Sequence, residues 1–358
     1  MKQIFCRFIS PLILFLLLFT KAAIPTVAQP SGKIEQKQIQ SQVLKGNLIG
    51  VNTARKVNVY LPSGYSTSNK RYPVVYYFHN LVFNSDRLFN ETPLLTLIDR
   101  ATQSKRIDEF ILVAADFSTS QLGSLYENSE VSGRWLDFIS QELVPFIDQQ
   151  YRTIDHRDSR AAVGDFMGGR GALKIGMTYA SQFAVVYAMH PVATGIGTLP
   201  WAYLDVDWNA IRKASNYSEL AGKGRSQIFI AICQAFLPNA SKPPFYCDFF
   251  FDLDGESPKL NPAKVQQAKN GFLLSETLYE TAGNLRSLRA LAFDWGRFDQ
   301  TEAHVFSNQA FSRTLTDLDV KHEAEEYNGA PFDKTWLDDG RFYTRVIPFL
   351  QRHLKFTR

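Results

Sequence analysis

Short, nearly continuous apolar runs alternate along this chain with longer stretches whose apolar residues return every three or four positions. That rhythm predicts strands separated by helices. Tyr72 to His79 (YPVVYYFH), Phe110 to Ala115 (FILVAA), Ala161 to Val163, Phe183 to Met189 (FAVVYAM), Ile228 to Cys233 (IFIAIC) and Leu288 to Phe293 (LRALAF) read as strands covered on both faces. Lys56 to Leu61 (KVNVYL) alternates apolar and polar residues, as an edge strand does. Trp135 to Tyr151 and Gly168 to Tyr179 read as helices. Strands alternating with helices imply an α/β class with a mostly parallel central sheet and helices on both faces.

Two stretches break the rhythm. Residues 29–46 are polar and read as a loose lead-in, leaving 47–358 as a single domain. Within it, 193–283 is longer and less regular, with Trp201, Trp208, Pro243-Pro244 and Phe249-Phe250-Phe251. It is expected to hold one strand plus an irregular, cap-like excursion over the sheet's carboxyl edge. Its aromatics either line a ligand groove or cap the sheet.

The first 28 residues read as an export signal. Lys2 and Arg7 precede the apolar run PLILFLLLF (Pro11 to Phe19), and Thr26-Val27-Ala28 is a small-residue cleavage site. The apolar run is far shorter than the ~20 residues that span a bilayer. No membrane span is expected after cleavage, and the mature protein is expected to be periplasmic or secreted. The signal also explains the basic balance. It carries Lys2, Arg7 and Lys21 and no acid, and removing these three from 39 basic residues leaves 36 against 35 acidic. A nearly neutral chain without blocks of like charge points away from nucleic acid as a partner. Hydrophobic residues at 45% and charged residues at 21% fit a globular core.

Of three cysteines, Cys6 leaves with the signal. Cys233 and Cys247 either pair in an oxidising compartment or sit as small buried hydrophobes. Neither has a histidine at zinc-ligand spacing, so no metal is expected there. No phosphate-cradling glycine loop is present and no cofactor is implied. Asp252-Leu253-Asp254-Gly255-Glu256 lacks calcium-loop spacing and reads as a turn.

The most informative segment is Glu142 to Val192, with PFIDQQYRT, the small-residue strand Ala161 to Val163, Gly164-Asp165-Phe166-Met167-Gly168-Gly169 and Gly171-Ala172-Leu173. It closely resembles the esterase D-like branch of the α/β-hydrolases, which includes feruloyl esterases, enterochelin esterases and mycolyltransferases. Arg55 to Tyr65, Arg71 to His79, Ser124 to Gly133 and Phe293 to Leu354 extend the resemblance over most of the chain. It implies an α/β-hydrolase fold and attack on a carboxylic ester through an acyl-enzyme.

In that family the centre of the G-x-S-M-G-G turn is the serine nucleophile, and here it is Phe166. The family's base is a histidine in a glycine turn before the last helix, where this chain has Asn328-Gly329-Ala330-Pro331 and so Pro331. The oxyanion loop reads His79-Asn80-Leu81-Val82-Phe83, without glycine. Only the acid position is retained, as Asp299. Losses at separated places speak against an isolated change at the turn.

Weak substitutes for the missing groups are Asp165, expected instead to bond backbone near the turn, and His304 and His190. His79 and His322 read as structural and His156 as surface. Asn80, Met167, Ser124, Tyr126, Asn128 and Ser129 are candidate ligand contacts beside the pocket, the last four being better suited to tying down their loop. Two functions follow. One is a degenerate esterase that acts by binding a small-molecule ester, acyl or carbohydrate-linked ligand. The other is an active carboxylic-ester hydrolase or acyltransferase using unidentified residues.

Overall fold

The computed structural model describes residues 31–195, 205–253, 255 and 257–357. The predicted signal, Trp201, Asp254 and Glu256 lie outside them. Eight strands form the central sheet: β1 (Lys33–Gln40), β2 (Ala54–Leu61), β3 (Val74–Phe78), β4 (Ile111–Ala115), β5 (Arg160–Asp165), β6 (Val185–Met189), β7 (Ala290–Gly296) and β8 (Glu323–Tyr327). Their spatial order is β1-β2-β4-β3-β5-β6-β7-β8. β2 runs antiparallel to both its neighbours, and every pairing from β4 to β8 is parallel.

Alternation along β3 shows how the layers form. Val74, Tyr76 and Phe78 face one core and Val75 and Tyr77 the other, all fully buried. A sheet buried on both faces needs continuous apolar strands, which is why its central runs were visible in the sequence. Helices α1 (Ser85–Glu91) and α2 (Leu94–Gln103) cover the second face, with Leu97, Ile98 and Ala101 inward. The first face carries α3, a continuous helical stretch over 135–150 with a π-helical middle, and α4 (Met167–Thr178).

Four sequence expectations are corrected. The lead-in is not loose throughout: β1 pairs along its whole length with β2, from Lys33 opposite Leu61 to Gln40 opposite Ala54. It offers little apolar periodicity because an edge strand is held by backbone hydrogen bonds. For the same reason Lys56 to Leu61 belongs to an inner strand, since β1 covers its flank. Ile228 to Cys233 is not a strand but the middle of a helix, Ser226–Phe236, with Phe229 to Phe236 buried all round. A short all-apolar run fits a buried helix as well as a buried strand. Among the described residues the excursion therefore contributes no strand to the main sheet, and the β7 run starts at Ala290, two residues later than its apolar pattern.

The excursion holds α5 (Trp208–Lys213), α6 (Ser226–Phe236), α7 (Pro262–Phe272) and a two-residue ribbon, and α8 (Leu278–Ser287) leads back to the sheet. Arg170 of α4, wholly buried, joins it to the body. Its guanidinium donates to the carbonyls of Gly271, Phe272 and Leu125, each at 3.0 Å, and reaches Glu127 at 3.3 Å. Helices α9 (Glu302–Asp317) and α10 (Ile347–His353) complete the two covering layers. Cys233 and Cys247 are both free and buried.

Candidate functional site

The site is built around the turn from β5 into α4. Phe166 sits there at φ 55° and ψ −112°, a conformation costly for any residue with a side chain. Its N–H donates to the Met189 carbonyl of β6, and its carbonyl accepts from Arg170 N–H in the first turn of α4. The turn is this tight because the helix start lies directly on β3: a Cβ on Gly168 would stand 1.9 Å from the Phe78 carbonyl oxygen. The turn thus keeps the strained shape that lifts one side chain above the sheet's carboxyl edge.

The ring it lifts is enclosed by aromatics from three other segments. Phe166 stacks on His190 at 6.0 Å between ring centres and an interplanar angle of 16°. It stands nearly perpendicular to His304 at 5.6 Å and lies 5.0 Å from Phe332. His190 follows β6, His304 opens α9, and Phe332 follows β8 next to Pro331. The structure therefore brings Phe166, His190, His304, Asp299 and the Pro331 turn together, although they are scattered through the chain.

Asp299 organises this cluster. Its Oδ2 accepts from His190 Nε2 and His304 Nδ1, both at 2.8 Å, and its Oδ1 accepts from Thr301 N–H. Burial pushes this carboxyl up, but the hydrogen bonds from His190, His304 and Thr301 outweigh it and hold it well below the ordinary aspartate range. Asp299 thus serves two histidines and the Thr301 backbone.

The tautomer of His190 follows from its partners. Gly296 N–H donates to Nδ1 at 2.8 Å, so the ring proton is on Nε2 and goes to Asp299. Both nitrogens are committed, leaving no lone pair for a substrate proton. The same bond bears on metal binding. His190, Asp299 and His304 offer ligand atoms within 4.8 Å of one another. A metal-binding imidazole donates its far N–H to an acceptor. Here the far nitrogen of His190 meets a donor, so these residues do not fit a divalent ion.

Asp165, one residue before the turn's centre, points away from the cluster. Its carboxylate accepts from Tyr77 Oη and Asn80 Nδ2, both at 2.8 Å, and interacts with its own backbone N–H at the turn. Burial raises its pKa, with the Asn80 and Tyr77 bonds opposing. Asn80 is engaged on its other side as well, its Oδ1 accepting from Val82 N–H. His79 spans Asn80 O and Phe117 N–H, and His322 spans Val320 O and Ser312 Oγ, both structural positions. Met167 is buried at the helix start.

The loop candidates are committed to tying the loop down. Ser124 Oγ accepts from Tyr126 N–H, and Tyr126 Oη donates to His79 O at 2.5 Å. Asn128 exchanges two bonds with Asp137, and Ser129 Oγ donates to Gln234 O of α6. Away from this loop, Trp208 packs on Phe229 and Phe251 at 5.1 and 4.7 Å, and Phe250 is fully buried. Phe249 and Phe251 instead reach the wall of a cleft in the excursion.

The sequence missed Phe332 as the partner of Phe166. No motif marks it, although its place beside the glycine turn before the last helix was the one available signal. Phe332 is more than half exposed, as are Phe298 and Phe306, which neighbour Asp299 and His304 in the chain.

Comparison with known proteins fits this geometry. The profile of the family described as "Putative esterase" matches residues 50–235, just over half the chain. Esterase Rv1288 of Mycobacterium tuberculosis (strain ATCC 25618 / H37Rv) is 38% identical over 129 residues, 36% of this chain and 27% of that protein. The chain thus spans about a quarter of the length of the first curated relatives it matches. Among solved structures, a ferulic acid esterase superposes with a TM-score of 0.61 at 19% identity, over 90% of this chain and 98% of its own. A ferulic acid esterase from Anaeromyces mucronatus, solved in complex with ferulic acid, gives 0.52 at 18% identity over 91% and 94%.

Proposed function

The chain belongs to the putative esterase family and has the α/β-hydrolase fold, and we propose that it is an exported, non-catalytic member whose former ester site acts by binding. The observation that carries the reading is the Phe166 ring, raised on the strained turn and packed between His190, His304 and Phe332. A phenyl ring has no lone pair with which to attack a carbonyl and no proton to pass on. It also fills the space in which an ester carbon would have to meet a nucleophile. Pro331 supports the reading from the other side, because its ring nitrogen cannot accept a proton. The ligand class is a small-molecule ester, acyl or carbohydrate-linked compound, with the exposed ring of Phe332 beside Phe166 as an apolar contact for it.

Purified protein is expected to hydrolyse p-nitrophenyl acetate and butyrate no faster than its denatured control and to take up no fluorophosphonate label. Turnover that survives further purification, or a labelled residue, would overturn this.

A sharper arm uses Phe166→Ser. Hydrolysis by this variant is expected to stay within about tenfold of the wild-type background, since Pro331 stands at the family's base position and an unactivated serine is a weak nucleophile. Vigorous labelling of Ser at this position would show that His304, held by Asp299 through Nδ1 as a triad histidine is, can still serve as base.

A further inference from the structure

The excursion contains a second chemically competent group that the ester site does not use. Cys233 lies in the last turn of α6, and its carbonyl accepts from Leu237 N–H at 2.7 Å. The chain then turns back, so that Cys247 pairs in a β-bridge with Pro238 and Asp248 N–H donates to Leu237 O. This return sets Cys247 beside Cys233 in the same buried cluster. Both side chains are buried, at 0% and 3% exposure.

The two thiols differ in access. Cys247 lines a cleft of about 660 Å³ whose walls include Pro243, Phe249, Asp248 and Lys264, whereas Cys233 does not reach it. The segment between them is already fastened. Asp248 is bound by Lys242 and Lys264 at 2.6 and 2.5 Å, and Asn239 Nδ2 donates to Asp248 Oδ1. A hairpin held at its ends keeps two thiols together at high effective concentration.

We propose that Cys233 and Cys247 form a redox-modifiable dithiol, which closes to an intramolecular disulfide by exchange with a small-molecule or protein disulfide. The Cys247 thiolate attacks one sulfur of the incoming disulfide through the cleft, forming a mixed disulfide and releasing one thiolate. Cys233 gives up its proton to solvent or to that released thiolate and attacks Cys247 Sγ. The Cys233–Cys247 bond forms, the mixed disulfide breaks, and the second thiolate leaves. The protein loses two hydrogens and the external disulfide is reduced to two thiols. Burial pushes the Cys233 thiol up, which makes it the resolving and not the attacking partner. Closure would pin the 238–247 return to α6 and stiffen the cleft wall made by Pro243, Pro244 and Phe245.

The test incubates the folded, reduced full chain with glutathione disulfide and glutathione over a range of ratios. Quenching by alkylation and intact-mass and peptide analysis then report the thiols. The expected product has lost the mass of two hydrogens, carries no alkyl group on either cysteine and yields one cross-linked peptide. It should melt roughly 3–6 °C above the reduced form, the scale of closing a loop of about this length.

Cys233→Ser is expected to stop at a glutathione adduct on Cys247, and Cys247→Ser to leave Cys233 unmodified while folded. Full alkylation of both thiols at every ratio would overturn the proposal. So would a wild-type adduct on Cys247 that never resolves, or a disulfide that forms only between chains.

Discussion

Gly168→Ala is expected to cost at least about 3–5 kcal/mol, enough to leave a large unfolded fraction at 37 °C. The added Cβ would lie 1.9 Å from the Phe78 carbonyl oxygen, 2.6 Å from its carbon and 2.8 Å from the His79 oxygen. None of these can step aside. Phe78 ends β3, which is paired on one flank with β4 and on the other with β5, so its carbonyl is fixed by the sheet. The helix cannot move either, because Arg170, two residues on, is tied to Gly271, Phe272 and Leu125. The control is Gly283→Ala in α8, whose new Cβ would meet nothing within 4 Å and which should gain up to about 1 kcal/mol from helix propensity. Urea midpoints of the two variants should therefore move in opposite directions. Equal midpoints would mean that the helix does not lie on β3 as described.

This crowding says something about the history of the turn. A Phe at a strained φ is tolerated only where the surroundings force it, and here Gly164, Gly168 and the β5–β6 pairing do so. In the family that strain aims a nucleophile. In this chain it aims a hydrocarbon ring, which on the proposed reading leaves the strained geometry in place without a nucleophile.

What the sequence disclosed follows from where each signal resides. Central strands such as Val74–Phe78 and Ile111–Ala115 are buried on both faces, so composition alone marks them. The turn was legible because close approach to β3 admits only glycine at 168. β1 was missed because its order comes from backbone bonds to β2, which leave no apolar trace, and α6 was misread because burial on all sides erases its period. Among the site residues, Asp299 was recognisable by its motif, but its dependence on both His190 and His304 arises from the meeting of the β6, β7 and α9 ends. Such a meeting is a property of topology. The commitment of Asn80 to Asp165 was hidden for the same reason, since the two are 85 residues apart.

Asp299→Asn is the second substitution with a large expected effect, about 3–4 kcal/mol lost at pH 7. The amide oxygen can still accept from Thr301 N–H, but the amide nitrogen then faces the N–H groups of His190 and His304, donor against donor. His190 cannot escape by changing tautomer, because Gly296 N–H already occupies Nδ1. The buried His190 N–H is left without an acceptor, and His304 keeps a bond here only by taking its other tautomer.

The pH dependence has a definite sign. The folded carboxyl is held below its unfolded value of about 3.9, so its contribution is full above that value and drains as the pH falls toward the folded one. The gap between wild type and variant in urea unfolding should therefore be constant from pH 7 to about 5 and narrow below about pH 4. If the gap is under about 1 kcal/mol at pH 7, the carboxylate is not the structural hub described. A variant as stable as wild type but altered in ligand binding would then make Asp299 a binding group. A gap of the expected size, with ester hydrolysis at background in both proteins, would mean that the acid position persists because the aromatic cluster around Phe166 folds on it.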